Sequence, residues 1–311
     1  MSEEVNTQMN IWQPEPGETL LARAPITFAT GAATRVRGMR WFRDTDRSDI
    51  QHELPGWPEG PSFTARSTGG VVAEKSLKGA ATAVGVAVMA FLSSAGGNIS
   101  TPSDDAGSDT PDDPADEVED FPVIWAAPGT IARTLPWQLD PGRFDQKHHR
   151  THAIVTDRRL VIVCLPFDKK QFEAIDDEVL WQCARTDIDG IELKDFKDGT
   201  DFKVIFVDGS WCRLSCKWRR KLTRYLVEPP ELLSLESLSP AQRATVSNYA
   251  EKVQMPSSTS PIITRNSCGH YNVDILLPSR FTSAFGASET SLVMDSDGQE
   301  VDVEEYHPED F

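Results

Sequence analysis

The middle third of the chain carries seven short strand signals, with clear alternation of apolar and polar residues in the last two, and then changes to a helical period. The runs cover residues 130–138, 149–156, 160–165, 178–184, 188–193, 201–207 and 211–216. In the sixth run Phe202, Val204 and Phe206 fall on one face, as expected of a half-buried strand. Asp208-Gly209 predicts a tight hairpin turn into the seventh run, because glycine accepts a positive φ at little cost. The pattern predicts a mostly β unit.

Two helices are predicted after the strands. Residues 217–227 place Trp218, Leu222, Tyr225 and Leu226 at i, i+4, i+7 and i+8, a stripe wide enough to close the open end of a curved sheet. Two prolines directly after residue 228 end this helix. A second helix is predicted over residues 239–253, with Ser239 as its N-cap and a proline in its first turn.

The pattern divides the chain into five segments. Residues 1–70 form an N-terminal strand and loop region, and a short similarity between PGETLLARAP and PGTIARTLP raises the hypothesis of a partial second barrel there. Residues 71–97 form a Gly/Ala-rich helix, and residues 98–120, with nine acids and no base, form a disordered acidic linker. Residues 121–228 hold the strands, and residues 229–311 form an extension with one helix and an acidic tail, residues 294–311, which is expected to be disordered like the linker.

Three motifs carry a family resemblance. HAIVTDRRLVIV at residues 152–163 looks like a strand–turn–strand signature, IDGIEL at 188–193 like a middle strand, and the helix after Cys216 like a C-terminal cap. With these motifs, residues 123–228, about a third of the chain, resemble the pleckstrin-homology-like (PH-like) superfamily, especially its GRAM and bacterial PH branches. The resemblance implies an α+β, mostly β fold, a seven-stranded barrel capped by a helix, and a binding role.

The amino-acid composition limits the classes of partner that the protein is expected to bind. The formal charge of −17 opposes nucleic acid, since a polyanion would meet a repulsive field. The five cysteines follow no regular spacing and are interpreted as buried thiols, and the N-terminus has no secretory signal, so a cytoplasmic location is predicted. No cofactor is predicted. The expected partner is another protein or an anionic membrane lipid, and self-association into a homo-oligomer stays open.

A cationic cluster is the predicted ligand-binding site on this acidic chain. Its members are Arg158, Arg159, Arg213, Lys217, Arg219, Arg220, Lys221 and Arg224. Near an anionic membrane each basic side chain contributes about 1 kcal/mol to binding. The other interpretation is a solvated helix face neutralised by the acidic linker. Binding would use this cluster, the open strand edge and the groove beside the helix.

An uncharged segment of nineteen residues, 79–97, has two interpretations. Its length could span a bilayer, which would make the protein membrane-associated, but its many small residues make it less apolar than most spans. Alternatively, Gly79, Ala83, Ala87 and Phe91 form a helix-packing seam, which would make the protein a self-assembling structural one.

No catalytic or metal-ligating set is predicted. The sequence contains no P-loop, no dinucleotide fingerprint and no nucleophile elbow. His149 and His152 lie near each other without a carboxylate or cysteine at ligand spacing, so a metal-dependent hydrolase is the weakest alternative. Cys268 and His270 are isolated in the sequence. The predicted function is therefore that of a non-enzymatic binding or adaptor protein.

Overall fold

The strands gather in three separate regions of the protein. The computed structural model describes residues 12–29, 41–46, 48–59, 122–144, 149–168, 173–174, 177–194, 199–227, 231–253, 260–276 and 289–310. The predictions for segments 79–97 and 98–120, including Gly79, Ala83, Ala87 and Phe91, lie outside these residues. Within them the protein has fourteen strands and two α-helices, which confirms a mostly β fold.

The first sheet is antiparallel and joins the N-terminal segment to the middle of the chain. Its strands are β1 (Leu20–Pro25), β5 (His149–Thr156), β6 (Arg159–Asp168), β7 (Glu173–Ala174) and β8 (Glu178–Ala184). β5 pairs with β1 on one side and with β6 on the other, and β8 pairs with the opposite edge of β6. The predictions for β5 and β8 are confirmed at both ends.

The second sheet continues from the first through the N-terminal segment. It contains β2 (Thr27–Phe28), β3 (Trp41–Arg43), β4 (Pro122–Trp125), β9 (Ile188–Leu193), β10 (Asp201–Phe206) and β11 (Trp211–Ser215). β9, β10 and β11 are antiparallel neighbours, and β11 also pairs with β2 and β4. The described strands of these two sheets do not close into a barrel.

One core lies between the two sheets and is closed by the helix α1 (Arg219–Val227). The face formed by Phe202, Val204 and Phe206 is buried there, as the alternation predicts. Leu222 and Tyr225 of α1 are also buried, whereas Trp218, predicted in the same stripe, is 39% exposed because it precedes the helix. The predicted capping helix is thus confirmed, with a start two residues later.

The C-terminal part folds into a third sheet with its own core. β12 (Ile262–Arg265), β13 (Tyr271–Leu276) and β14 (Glu289–Met294) form an antiparallel sheet, and helix α2 (Pro240–Val253) packs against it. Ser239 Oγ accepts a hydrogen bond from the Gln242 backbone N–H, and the Gln242 side chain accepts one from the Ser239 N–H. This capping box confirms the predicted N-cap.

Three sequence-based expectations are corrected. Residues 130–138 form two 3-10 helices, Ile131–Thr134 and Trp137–Leu139, because their buried residues Ala132, Leu135 and Leu139 repeat every three to four positions. The segment from residue 11 to 70 supplies β1, β2 and β3 to the two main sheets, so its described residues belong to those sheets and not to a second barrel. The acidic tail is ordered from β14 onward by two further 3-10 helices.

Candidate functional site

Two arginines of the predicted cationic cluster are internal. Arg213 is fully buried, and its guanidinium lies 2.7 Å from the carboxylate of Asp201 on the neighbouring strand. Arg219 is 7% exposed and donates to the backbone oxygens of Lys194 and Asp201 at 2.5 and 2.6 Å. These two residues are therefore corrected from ligand-binding to structural, because the donors of Arg213 join β11 to β10 and those of Arg219 join α1 to the end of β9 and the start of β10.

Arg158 and Arg159 are bound by the N-terminal segment. Arg158 donates to the Gly17 backbone oxygen at 2.5 Å. Arg159 forms ion pairs with Glu15 and Glu18 at 2.9 and 2.8 Å and makes a second hydrogen bond to Glu18 through Nε. The β5–β6 turn is thereby fastened to the residues that precede β1.

Glu18 gives this junction a pH dependence. Burial alone would raise the pKa of Glu18, but hydrogen bonds from Arg159 and Thr156, together with the Arg159 charge, lower it from 4.5 to about 2. A carboxyl whose pKa is lower in the folded state stabilises the fold above its unfolded-state pKa and loses that contribution as the pH falls toward the folded-state value.

We expect Glu18→Gln to lower the free energy of unfolding at pH 7 by about 2 kcal/mol, because Arg159 loses its charged acceptor. The difference between wild type and variant should shrink between about pH 5 and pH 2. Urea denaturation at a series of pH values measures both. Parallel profiles for the two proteins across this range would contradict the prediction.

Of the remaining four basic residues of the cluster, two contact the C-terminal part of the chain and two are exposed. Lys221 Nζ lies 3.0 Å from Asp274 of β13 and 3.0 Å from Ser291 Oγ of β14. Arg224 donates to the Asn266 side chain. Lys217 and Arg220 are exposed, as is Arg158, which bonds to Gly17. The C-terminal sheet therefore covers much of the basic helix face that the sequence predicts as free.

The predicted open strand edge is the outer edge of β9, which lies beside α1. Among the described strands only β10 pairs with β9. Leu193 at the end of β9 is 46% exposed. Because Arg219 bonds to the backbone of Lys194, the chain neighbours Leu193 and Trp218 lie at the same end of this edge. Two large exposed apolar side chains thus flank the open edge of β9.

His152 does not offer metal or acid–base chemistry. It is fully buried, and burial, together with the Arg23 and Arg150 charges, holds its pKa well below the ordinary value. Its Nδ1 accepts from Arg23 Nε at 3.1 Å, and Arg23 in turn makes two 2.7 Å bonds to Asp177. Among the described residues His149 and His152 belong to no group of metal-ligating side chains, so a hydrolase built on them gains no support.

The structure brings together a cluster that the sequence leaves apart. Cys268 and His270, at the β12–β13 turn, lie beside Asp310 of the last 3-10 helix. His270 Nδ1 is 2.8 Å from Asp310 Oδ2, and Cys268 Sγ is 3.6 Å from Asp310 Oδ1. Burial raises the pKa of the Cys268 thiol, and the charges of Asp310 and Glu309 raise it further, which opposes a thiolate nucleophile.

Among the described residues, no helix combines the length and the apolar character needed to cross a bilayer. Comparison with family models, with curated proteins and with solved structures finds no match for this chain.

Proposed function

We propose that the protein is a non-enzymatic binding protein that receives an extended segment of a partner protein along β9. The binding unit would have a PH-like arrangement of two sheets, which the described strands leave open, with the β1–β2 segment as its first strand, far upstream of the segment that the resemblance covers. The order β1–β2, β5, β6, β8, β9, β10, β11 and then α1 supports this, because it supplies seven strands followed by a capping helix.

The observation that carries the proposal is the unpaired edge of β9 beside α1. A partner segment added to such an edge gains main-chain hydrogen bonds, and side-chain pockets provide its specificity. Leu193 and Trp218 would contact apolar side chains of that segment. Asp189, which is exposed on β9, favours a basic residue in it, whereas Glu192 already pairs with Lys194 and Lys203. Charges on this edge also discourage edge-to-edge aggregation with other copies.

A protein partner is favoured over an anionic membrane by the positions of the basic residues. Six of the eight predicted contact residues bond to other parts of the chain, including Asp201, Glu18 and Asp274. Lys217, Arg220 and Arg158 are exposed, the last while bonded to Gly17, and three cations supply only about 3 kcal/mol near an anionic surface. That is little for a protein of net charge −17.

Peptides selected from a displayed random library test the proposal. We expect the selected peptides to protect the backbone amides of β9 from hydrogen exchange. Leu193→Glu combined with Trp218→Glu should weaken peptide binding by about tenfold or more, since each loses an apolar contact of roughly 1–2 kcal/mol. Val179→Glu is the matched control, because Val179 is 48% exposed on the other edge strand, β8.

Two results would overturn the proposal. One is a selected peptide that protects β8 or α2 and leaves β9 unchanged. The other is binding to phosphatidylserine-containing vesicles, but not to phosphatidylcholine vesicles, that Lys217→Glu with Arg220→Glu abolishes; this would favour the membrane function instead.

A further inference from the structure

The β12–β13 hairpin and the C-terminal segment meet through side chains and backbone. Gly269, at φ +96°, allows the tight turn in which its N–H bonds to the Asn266 backbone oxygen at 3.0 Å. Asn266 Nδ2 also donates to Asp310 Oδ1 at 2.6 Å, and the Cys268 N–H donates to Glu309 at 2.9 Å. The turn therefore presents Cys268 and His270 to residues 307–310.

The residues that meet here are those that bind borderline divalent metals. The ligand atoms of Cys268, His270 and Asp310 all lie within 4.8 Å of one another, and so do those of Cys268, His307 and Glu309. Cys268 is common to both groups. A thiolate, imidazole nitrogens and a carboxylate oxygen are the ligands of tetrahedral Zn²⁺ sites, with bonds of roughly 2.0–2.3 Å. Oxygen-preferring Mg²⁺ and Ca²⁺ would not select such a set.

We propose that this cluster is a Zn²⁺ site that fastens the C-terminal segment to the β12–β13 hairpin. Cys268, His270 and Asp310 are the ligands from the first group, and His307, which lies with Cys268 in the second group, would turn toward His270 and Asp310 to supply the fourth. The bonds to the ion would replace the hydrogen bonds that join Asp310 to His270 and Cys268. Binding releases the thiol proton of Cys268 to solvent, and His270 binds through Nδ1 as the neutral tautomer that carries its proton on Nε2.

The Asp310 carboxylate is held in a fixed orientation, as expected of a metal ligand. Its side chain is buried, and both of its oxygens already accept hydrogen bonds, one from Asn266 Nδ2 and one from the His307 N–H at 2.8 Å. Such bonds orient a ligating carboxylate. Cys268 is exposed, so an ion can reach the site from solvent. The zinc-site proposal does not depend on the proposed function, since none of these residues lies in β9 or α1.

Thiol labelling of the native protein reports on Cys268 alone. Cys268 is the one exposed cysteine of five, and the other four are buried. We expect Zn²⁺ to slow the reaction of Cys268 with a thiol reagent, and Co²⁺ to produce a thiolate charge-transfer band together with the visible spectrum of a tetrahedral ion. Calorimetry with Zn²⁺ alone gives the affinity of the full chain.

The variants test the ligands separately. His270→Gln and Cys268→Ser should each weaken binding by about 100-fold or more, because losing a residue that merely orients a ligand already costs roughly 10- to 100-fold. His52→Gln is the matched control, since His52 is exposed and distant in sequence from the cluster. If His270→Gln alters the fold, His307→Gln with unchanged circular dichroism serves instead.

Several outcomes would overturn the zinc site. They are a labelling rate that Zn²⁺ leaves unchanged, a Co²⁺ spectrum without the thiolate band, or equal affinity in His52→Gln and in the cluster variants. A thiol that reacts quickly at neutral pH and is insensitive to Zn²⁺ would point to a reactive cysteine instead.

Discussion

Replacing Arg213 by alanine is expected to lower the free energy of unfolding by about 3–5 kcal/mol. The change leaves the Asp201 carboxylate, which is 1% exposed, without its guanidinium partner in a fully buried position. An unpaired buried charge is among the most costly defects in a folded protein. Urea denaturation followed by circular dichroism measures the loss.

A double replacement and a surface control sharpen this experiment. Arg213→Met with Asp201→Leu should recover much of the lost stability, because a buried ion pair can often be exchanged for apolar side chains of similar volume at little cost. Arg220→Ala, on an exposed residue of the same predicted cluster, should change stability by less than about 0.5 kcal/mol. A loss below about 1 kcal/mol for Arg213→Ala would show that the pair is not desolvated.

Gly298→Ala is expected to destabilise the C-terminal unit by about 2–4 kcal/mol. Gly298 has φ +82°, which costs a non-glycine residue about 1 kcal/mol. An added Cβ would also lie 2.7 Å from the Gln242 backbone nitrogen and 2.9 Å from the Ala241 carbonyl carbon. Neither backbone atom can yield without shifting α2, so overpacking adds roughly 1–3 kcal/mol.

Gly129→Ala separates the cost of the positive φ from the cost of overpacking by the added Cβ. Gly129 has almost the same φ, +81°, but an added Cβ would meet nothing within 4 Å. Its cost should therefore be the backbone term alone, about 1 kcal/mol. Thermal unfolding and hydrogen exchange of α2 compare the two variants. Equal losses would mean that α2 does not press on the turn.

Alternation identified β10, because its apolar side chains at every second position share one buried face. Residues 149–156 and 178–184 were predicted to the residue from short apolar runs, and β5 is buried on both faces from residue 151 onward. Residues 130–138 failed because their apolar residues repeat every three to four positions, which a strand cannot bury on one side. The pairing of β1 with β5 spans a long sequence separation that local pattern does not encode.

The roles of the candidate site residues were harder to predict from the sequence than the strands, because those roles depend on tertiary contacts. Arg213 lies between Cys212 and Leu214 on β11, so its side chain points to the opposite face of the strand. The alternation predicts that face, but it does not predict that the rest of the fold buries it. Its partner Asp201 stands on the adjacent strand, where only the β10–β11 register places it. Likewise Cys-x-His and His-x-x-Asp are short patterns in two loops, and only the folded C-terminal segment makes them neighbours.

The pairing of β1 with β5 has a consequence for biosynthesis. Thr19 and Asp157, whose hydrogen bond closes this junction, are 138 residues apart. As the chain emerges from the ribosome, β1 must wait unpaired while all of the intervening residues and then β5 are translated, which at 5–20 residues per second takes on the order of ten seconds. During that interval the unpaired β1 is exposed to misfolding and aggregation, the usual hazard of an unpaired strand in an incomplete chain.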